Sequence, residues 1–193
     1  MIRALYDWTL AQAAKPHAIW ILAAVSFIES SVFPIPPDVL LIPMVLAARH
    51  KAWFIAGVCT LASVAGGLAG YGLGALAYEA VGQPVLEFYG KMDKFAEFQQ
   101  GFAEWGAWIV FGAGVTPFPY KVITIASGTV GLDLFVFTIA SVLSRGLRFF
   151  LVAALLWKFG PPVQAFIEQR LGLVFSVSFA MLVAGFVVAR YAL

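Results

Sequence analysis

The chain has 193 residues and a formal net charge of +2, with 62% of its residues apolar and only 11% charged. A water-soluble domain carries about 25% charged residues, so this chain cannot cover its surface with charge, and its apolar excess calls for a bilayer. The twelve Lys and Arg are scattered, which argues against a nucleic-acid interface, and the single cysteine, Cys59, excludes a disulfide or a cysteine metal site within one chain while leaving the redox compartment open.

Residues 1–16 lack the compact apolar core and small-residue cleavage site of a signal peptide, because Arg3, Asp7, Gln12 and Lys15 interrupt them. Ile2, Leu5, Tyr6, Trp8 and Leu10 fit either a short interfacial helix or a frayed start. Five apolar blocks follow, at 17–48, 52–80, 105–130, 134–157 and 171–193. The second, fourth and fifth have the length of about 20 residues that a spanning helix needs. The first and third are each broken near the middle, at Pro34, Pro36 and Pro37 and at Thr116, Pro117 and Pro119. Proline lacks a donor and clashes with the preceding turn, so these runs cannot stay helical. Broken backbone at membrane depth is tolerated only inside protein or beside a wet cavity. Both blocks are therefore expected to be helix–break–helix hairpins that enter and leave on one side. The arm 20–32 supports this, since its 13 residues give a helix of about 20 Å, short of the roughly 30 Å hydrocarbon core.

Shifting the first break by the interval from Pro34 to Pro117 also lays Pro36 on Pro119, Asp38 on Lys121, Val39 on Val122 and Ile42 on Ile125. The match is either a coincidence in an apolar chain or a duplication of a hairpin followed by a spanning helix. A unit that crosses an odd number of times must be inverted in its second copy, the plan of many transporters. If the N-terminus is cytoplasmic, six Lys and Arg lie inside (Arg3, Lys15, Arg49, Lys51, Lys158 and Arg170) and three outside (Lys91, Lys94 and Arg190), a modest positive-inside bias. Residues 87–104, with Phe88, Phe95, Phe98 and Phe102 among charges, suit an amphipathic helix on the membrane surface.

Five ionisable residues fall within the apolar blocks: Glu29, Asp38, Lys121, Arg145 and Arg148. Each costs about 3 kcal/mol or more at the bilayer centre unless paired or wet. They either pair to hold the hairpins together or line a substrate and proton pathway, and the two roles are compatible. Two acids and three bases leave one positive charge over, which an anion would neutralise. In the second block Gly66, Gly70 and Gly74 recur every four residues, a face for close helix packing. No nucleophile-elbow motif is present, and His17 and His50, the only histidines, make a histidine metal site or a histidine-dependent phosphatase improbable. No enzyme, metal or cofactor is expected.

The stretches Glu29-Ser-Ser-Val-Phe-Pro-Ile-Pro-Pro-Asp38, Gly66 to Gly74, Thr116-Pro-Phe-Pro-Tyr-Lys121 with Ser127-Gly128, and Ser144-Arg-Gly-Leu-Arg148-Phe-Phe together resemble the DedA family, the bacterial branch of the VTT-domain (SNARE-associated Golgi protein) superfamily, in the flavour of its YqaA-like members. The resemblance covers about 17–160. It implies a multi-pass protein of the bacterial inner membrane with two re-entrant hairpins. It also implies movement of a phospholipid or undecaprenyl phosphate between leaflets, with proton coupling in some members. The family's essential acids fall on Glu29 and Asp38. Its second hairpin usually carries two arginines, where this chain has Thr116 and Lys121. Lysine lacks the bidentate grip of arginine on phosphate, and Arg145 and Arg148 are the candidates to supply it.

The expected fold is thus an all-α integral membrane protein with two re-entrant hairpins, each followed by a transmembrane helix. Residues 1–16 form an interfacial segment, 17–160 the DedA/VTT-like domain and 161–193 a C-terminal transmembrane helix. The expected function is a lipid flippase or scramblase. A proton-coupled transporter of a small soluble solute and a non-transporting scaffold are the alternatives. Substrate identity and oligomeric state are not written in the sequence.

Overall fold

The computed structural model of the protein describes residues 17–32, 36–88, 90, 92–116 and 118–169. The segment 1–16, Pro34, Pro117, the fifth apolar block and the charges Lys91, Arg170 and Arg190 lie outside them. Among the described residues every regular element is helical.

Helix α1 (Ala18–Ser31) ends at Val32, where the backbone leaves helical angles ahead of the proline cluster. Pro37 then caps α2 (Asp38–Ala47). Prolines suit this place because the first helical N–H groups have no partner to lose, and the first bonds run from Val39 to the Pro36 carbonyl and from Leu40 and Leu41 to the Pro37 carbonyl. Ala48, with φ −139° and ψ 66°, stops α2, and one tight turn (Arg49–Lys51) leads into α3 (Ala52–Ala77). Its 26 residues give about 39 Å of helix, enough to cross a bilayer. A wider turn (Tyr78–Gly82) and the short α4 (Gln83–Phe88) connect it to α5 (Met92–Val115). The second break follows. Helix α6 (Tyr120–Val130) closes at Gly131, whose φ of 71° is a left-handed cap that glycine adopts without strain. Asp133 accepts the Val136 N–H at 2.9 Å and so starts α7 (Leu134–Gln169). Helix α7 bends at Phe159 (φ −112°, ψ 18°). Pro161, two residues on, cannot donate to the Trp157 carbonyl, which accounts for the bend.

Among the described residues two helices, 49–80 and 134–160, are long and apolar enough to cross a membrane. The expected helix–break–helix pattern is present twice. Two boundaries differ from the sequence reading. From Met92 onward the surface segment expected at 87–104 and the hairpin arm expected from 105 form one helix, α5. Nothing between 92 and 115 breaks the backbone, as the glycines there cost only about 1 kcal/mol each, and the stripe Phe95, Phe98, Phe102 feeds inward as a ring-to-ring ladder from Tyr78. Helix α7 also runs through 160, the expected edge of the domain, and bends there instead of ending.

The glycine face of α3 holds the two halves together. A Cβ on Gly66 would strike the Phe27 carbonyl, one on Gly70 the Thr124 hydroxyl, and one on Gly74 the Ile125 carbonyl. Helices α1 and α6 therefore both lie backbone-close on α3. Ser26 meets Cys59 and Ser30 meets Ser63, so α1 runs parallel to α3 and its end reaches the middle of that helix. Thr124 lies at Gly70 and Thr129 bonds the Gly74 carbonyl, so α6 starts from the same middle level and runs to the far end. The two breaks meet halfway along α3, approached from opposite ends. The packing is crossed. Helix α1 rests on α3 and α5 on α7 of its own half, whereas α6 rests on α3 and α2 on α7 of the other.

Large apolar side chains face outward, and hydroxyl side chains are buried beside an apolar core. Trp20, Leu61, Trp108 and Phe135 are each exposed by 70% or more, while Ser26, Ser30, Ser63, Thr124, Ser127 and Ser141 are fully buried.

Candidate functional site

The polar centre is built where the breaks meet. Arg145, halfway along the apolar part of α7, is 1% exposed. Its Nη2 donates to Glu29 Oε2 at 2.8 Å and its Nε to Ser63 Oγ at 2.6 Å. Ser30 Oγ donates to the same Glu29 oxygen at 3.1 Å and lies 2.7 Å from Ser63 Oγ. Since the Ser30 proton is engaged by Glu29, the Ser63 proton must point to Ser30. Glu29, Arg145, Ser63 and Ser30 thus close a ring in which every link has a donor and an acceptor. The flat faces of the guanidinium are covered by Tyr120, 4.8 Å to the ring centroid, and Phe149, 4.6 Å. Tyr120 in turn donates to Ser141 at 2.5 Å. A buried ion pair persists only when its remaining polar groups are matched in this way.

One turn further along α7, Arg148 takes a different set of partners. Its Nη2 donates to Asp38 Oδ2 at 2.6 Å and its Nη1 to the Thr116 carbonyl at 3.1 Å. Asp38 opens α2 just after the first break, and Thr116 stands in the second. One side chain therefore ties both breaks. This pair is about one fifth exposed on each side. Lys121 sits at the start of α6 and donates to the Val32 carbonyl at 3.2 Å. Val32 is the last residue before the first break, so a second tie crosses the same junction. Thr124 donates its hydroxyl proton towards the Ser30 carbonyl at 3.0 Å and the Lys121 carbonyl at 2.9 Å.

All five ionisable residues named from the sequence meet at this junction. They do not share one open surface. Arg145 and Arg148 lie on one face of α7, but the first is enclosed by α1, α3 and two rings and the second faces the breaks. Glu29 and Ser63 draw the Arg145 fork inward, away from the breaks. The charges sort into two neutral pairs and Lys121, which carries the leftover positive charge on a carbonyl oxygen. Pro36 and Pro37 lie in the first break and Pro119 in the second. Gly66, Gly70 and Gly74 pack α1 and α6, as their spacing predicts.

Sequence reasoning passed over Ser30, Ser63 and Tyr120. Serines in apolar helices are common and often bond their own preceding turn, as Ser26 does to the Leu22 carbonyl. The usable signal was Tyr120 beside a charge and directly after a proline break. Among the described residues no group of three metal-ligating side chains occurs.

No family model and no solved structure matches the chain. Two bacterial proteins do. An uncharacterized protein of Haemophilus influenzae is 40% identical over 151 residues, 78% of each chain. One of Histophilus somni is 37% identical over the same length and the same shares. At that identity and coverage the chain belongs to the family that contains these two uncharacterized proteins.

Proposed function

We propose that the chain is a multi-pass protein of the bacterial inner membrane, that its two broken hairpins are re-entrant, and that it carries a lipid headgroup bearing a phosphate across the bilayer at the junction of the breaks. The observation that carries this reading is the charged junction itself, five ionisable side chains gathered level with the middle of α3 and α7, two apolar helices whose outer faces are rich in tryptophan, leucine and phenylalanine. Such groups are expensive at membrane depth and mark a pathway. The resemblance to the DedA family points the same way and supplies the lipid class.

The two pairs have different parts in this mechanism. The Glu29–Arg145 ring fixes α1 to α7 and stays shut. The Asp38–Arg148 pair is the one that opens. A proton on Asp38 cancels the attraction and frees the Arg148 fork, which matches phosphate oxygens in a bidentate way. Lys121 beside the second break adds a point charge, and the acyl chains remain in the surrounding lipid. Return of the carboxylate competes the phosphate off Arg148.

Reconstitution into liposomes with a headgroup-labelled phospholipid tests this. Wild-type protein should move label between leaflets, and Asp38→Asn should insert normally but fail to move it. Wild-type movement by Asp38→Asn makes that acid structural as well and removes the proposal. A protein that passes a soluble solute but no labelled lipid is the transporter of the second class.

A further inference from the structure

A second cationic feature lies away from the junction, at the end of the molecule where α1 begins, α2 returns and α7 bends. Arg49 and Lys51 stand in the turn between α2 and α3, and Lys158 stands on α7. The Arg49 guanidinium lies against Gly160, where a Cβ would strike it; Gly160 is two residues from Lys158, and Lys51 two residues from Arg49. Lys51 and Lys158 are exposed, and Lys158 Nζ lies 5.4 Å over the Phe159 ring. Neither ion pair among the described residues involves any of them. Residues 17–22, 44–56 and 150–160, which carry the described side chains around these cations, contain no Asp or Glu. Glu79, Glu87, Asp93 and Asp133 sit towards the opposite end of the molecule. Directly along the helices from the cations is an outward-facing aromatic cluster. Trp53 stacks on Phe150 at 6.1 Å between centroids and meets Trp157 at 6.2 Å. These three rings are 46%, 38% and 50% exposed.

We infer that this end is a binding site for an anionic phospholipid of the adjoining leaflet. Arg49, Lys51 and Lys158 take the headgroup, while the rings of Trp53, Phe150 and Trp157 lie along the glycerol and upper acyl chains. The inference rests on the membrane reading given above and is independent of any transport. Two chemistries adjoin here in the order a phospholipid presents them. Cations with no ion-pair partner among the described residues sit at the tip, and an apolar, partly polar-edged aromatic surface begins one turn below. Indole suits that boundary because its ring is apolar and its N–H can stay with the wet side. A soluble anion would use the cations and leave the rings idle. An anionic headgroup uses both, and it is the negative sign of the lipid, not phosphate alone, that three cations select.

The test is quenching of Trp53 and Trp157 fluorescence by brominated lipid, read as the difference between the protein and its Trp53→Phe/Trp157→Phe variant. The bilayer is phosphatidylcholine with a minor share of either brominated phosphatidylglycerol or brominated phosphatidylcholine. Phosphatidylglycerol should quench more strongly at equal share, and raised salt should weaken the difference. A cation beside anionic lipid is worth about fivefold in local enrichment. The Lys51→Gln/Lys158→Gln variant, both exposed positions, should therefore lose roughly 25-fold of the preference while quenching by brominated phosphatidylcholine persists. Equal quenching by the two lipids in the wild type, or an undiminished preference in the double variant, overturns the inference and leaves the membrane reading intact. Absence of quenching by both lipids overturns the membrane reading and this site with it.

Discussion

At Arg145 a guanidinium has left water altogether, and everything it touches is arranged to make that tolerable. Glu29 supplies the charge, Ser63 takes a second N–H, and two rings cover the faces. Removing one partner of a buried pair typically costs about 3–5 kcal/mol, because the other is left charged and unmatched. Arg145→Ala should therefore lower the thermal stability of the purified protein severely. Arg145→Lys should recover part of it, since the charge survives and the fork to Ser63 does not. Arg148 is partly exposed and its loss should cost less, about 1.5–3 kcal/mol for hydrogen bonds to a charged group. Arg148→Ala should fold, and it should fail in lipid movement. Thermal unfolding of the two alanine variants in one detergent, beside the liposome assay, separates the roles. Equal loss of stability in both would remove the distinction between a closed pair and an opening one.

Among elements, α3 shows most directly how sequence becomes packing. Gly66, Gly70 and Gly74 face carbonyl and hydroxyl groups of α1 and α6 at distances no side chain permits, whereas Gly57 and Gly72 have nothing near them. Gly66→Leu and Gly74→Leu should abolish the folded state, because the obstacle is backbone and cannot rotate away. Gly57→Ala and Gly72→Ala should be neutral or raise stability by up to about 1 kcal/mol, the propensity gain of alanine over glycine in a helix. Thermal unfolding of the four variants decides it, and indifference at Gly66 and Gly74 would show that the helices do not lie backbone to backbone. This contrast was half legible in the sequence. Spacing by four identified the packing face, and the prolines identified both breaks. The continuity of α5 was hidden because its first turns carry charges and its last carry none, so composition split what hydrogen bonds join. The ring around Arg145 was hidden too, since Ser30 and Ser63 acquire meaning only when α1 lies parallel to α3 and brings them together.

The molecule as a whole consists of two similar halves with exchanged second arms, and each hairpin starts and finishes at one end. That arrangement dictates which residues share a side of a membrane. On a Cys59→Ala background, single cysteines at His17, His50 and Lys158 should react with an impermeant maleimide from one side, and those at Glu79 and Asp133 from the other. The exposed positions make this practical. Opposite labelling of His17 and His50 would mean that the first hairpin crosses, and the re-entrant reading would fall. Sequence spacing alone anticipated two breaks of one kind, but the exchange of arms was not legible in it, since it depends on contacts between residues far apart in the chain.

The partners of the central pairs are far apart in the chain, 116 residues for Glu29 and Arg145 and 110 for Asp38 and Arg148. Translation proceeds at about 5–20 residues per second, so the first hairpin exists for roughly 6–20 s before its cations have been made. Its two carboxyl groups must spend that interval protonated, wet, or sheltered by the insertion machinery. Biogenesis is thus non-local, and the arginines of α7 complete a structure that was begun without them. A nascent chain arrested at residue 140 should leave its first hairpin extractable by alkaline carbonate, and one arrested far enough beyond 148 for that segment to emerge should not. Equal extraction of the two arrested chains would show that the early half is already seated, and that the late cations merely arrive at a finished hairpin.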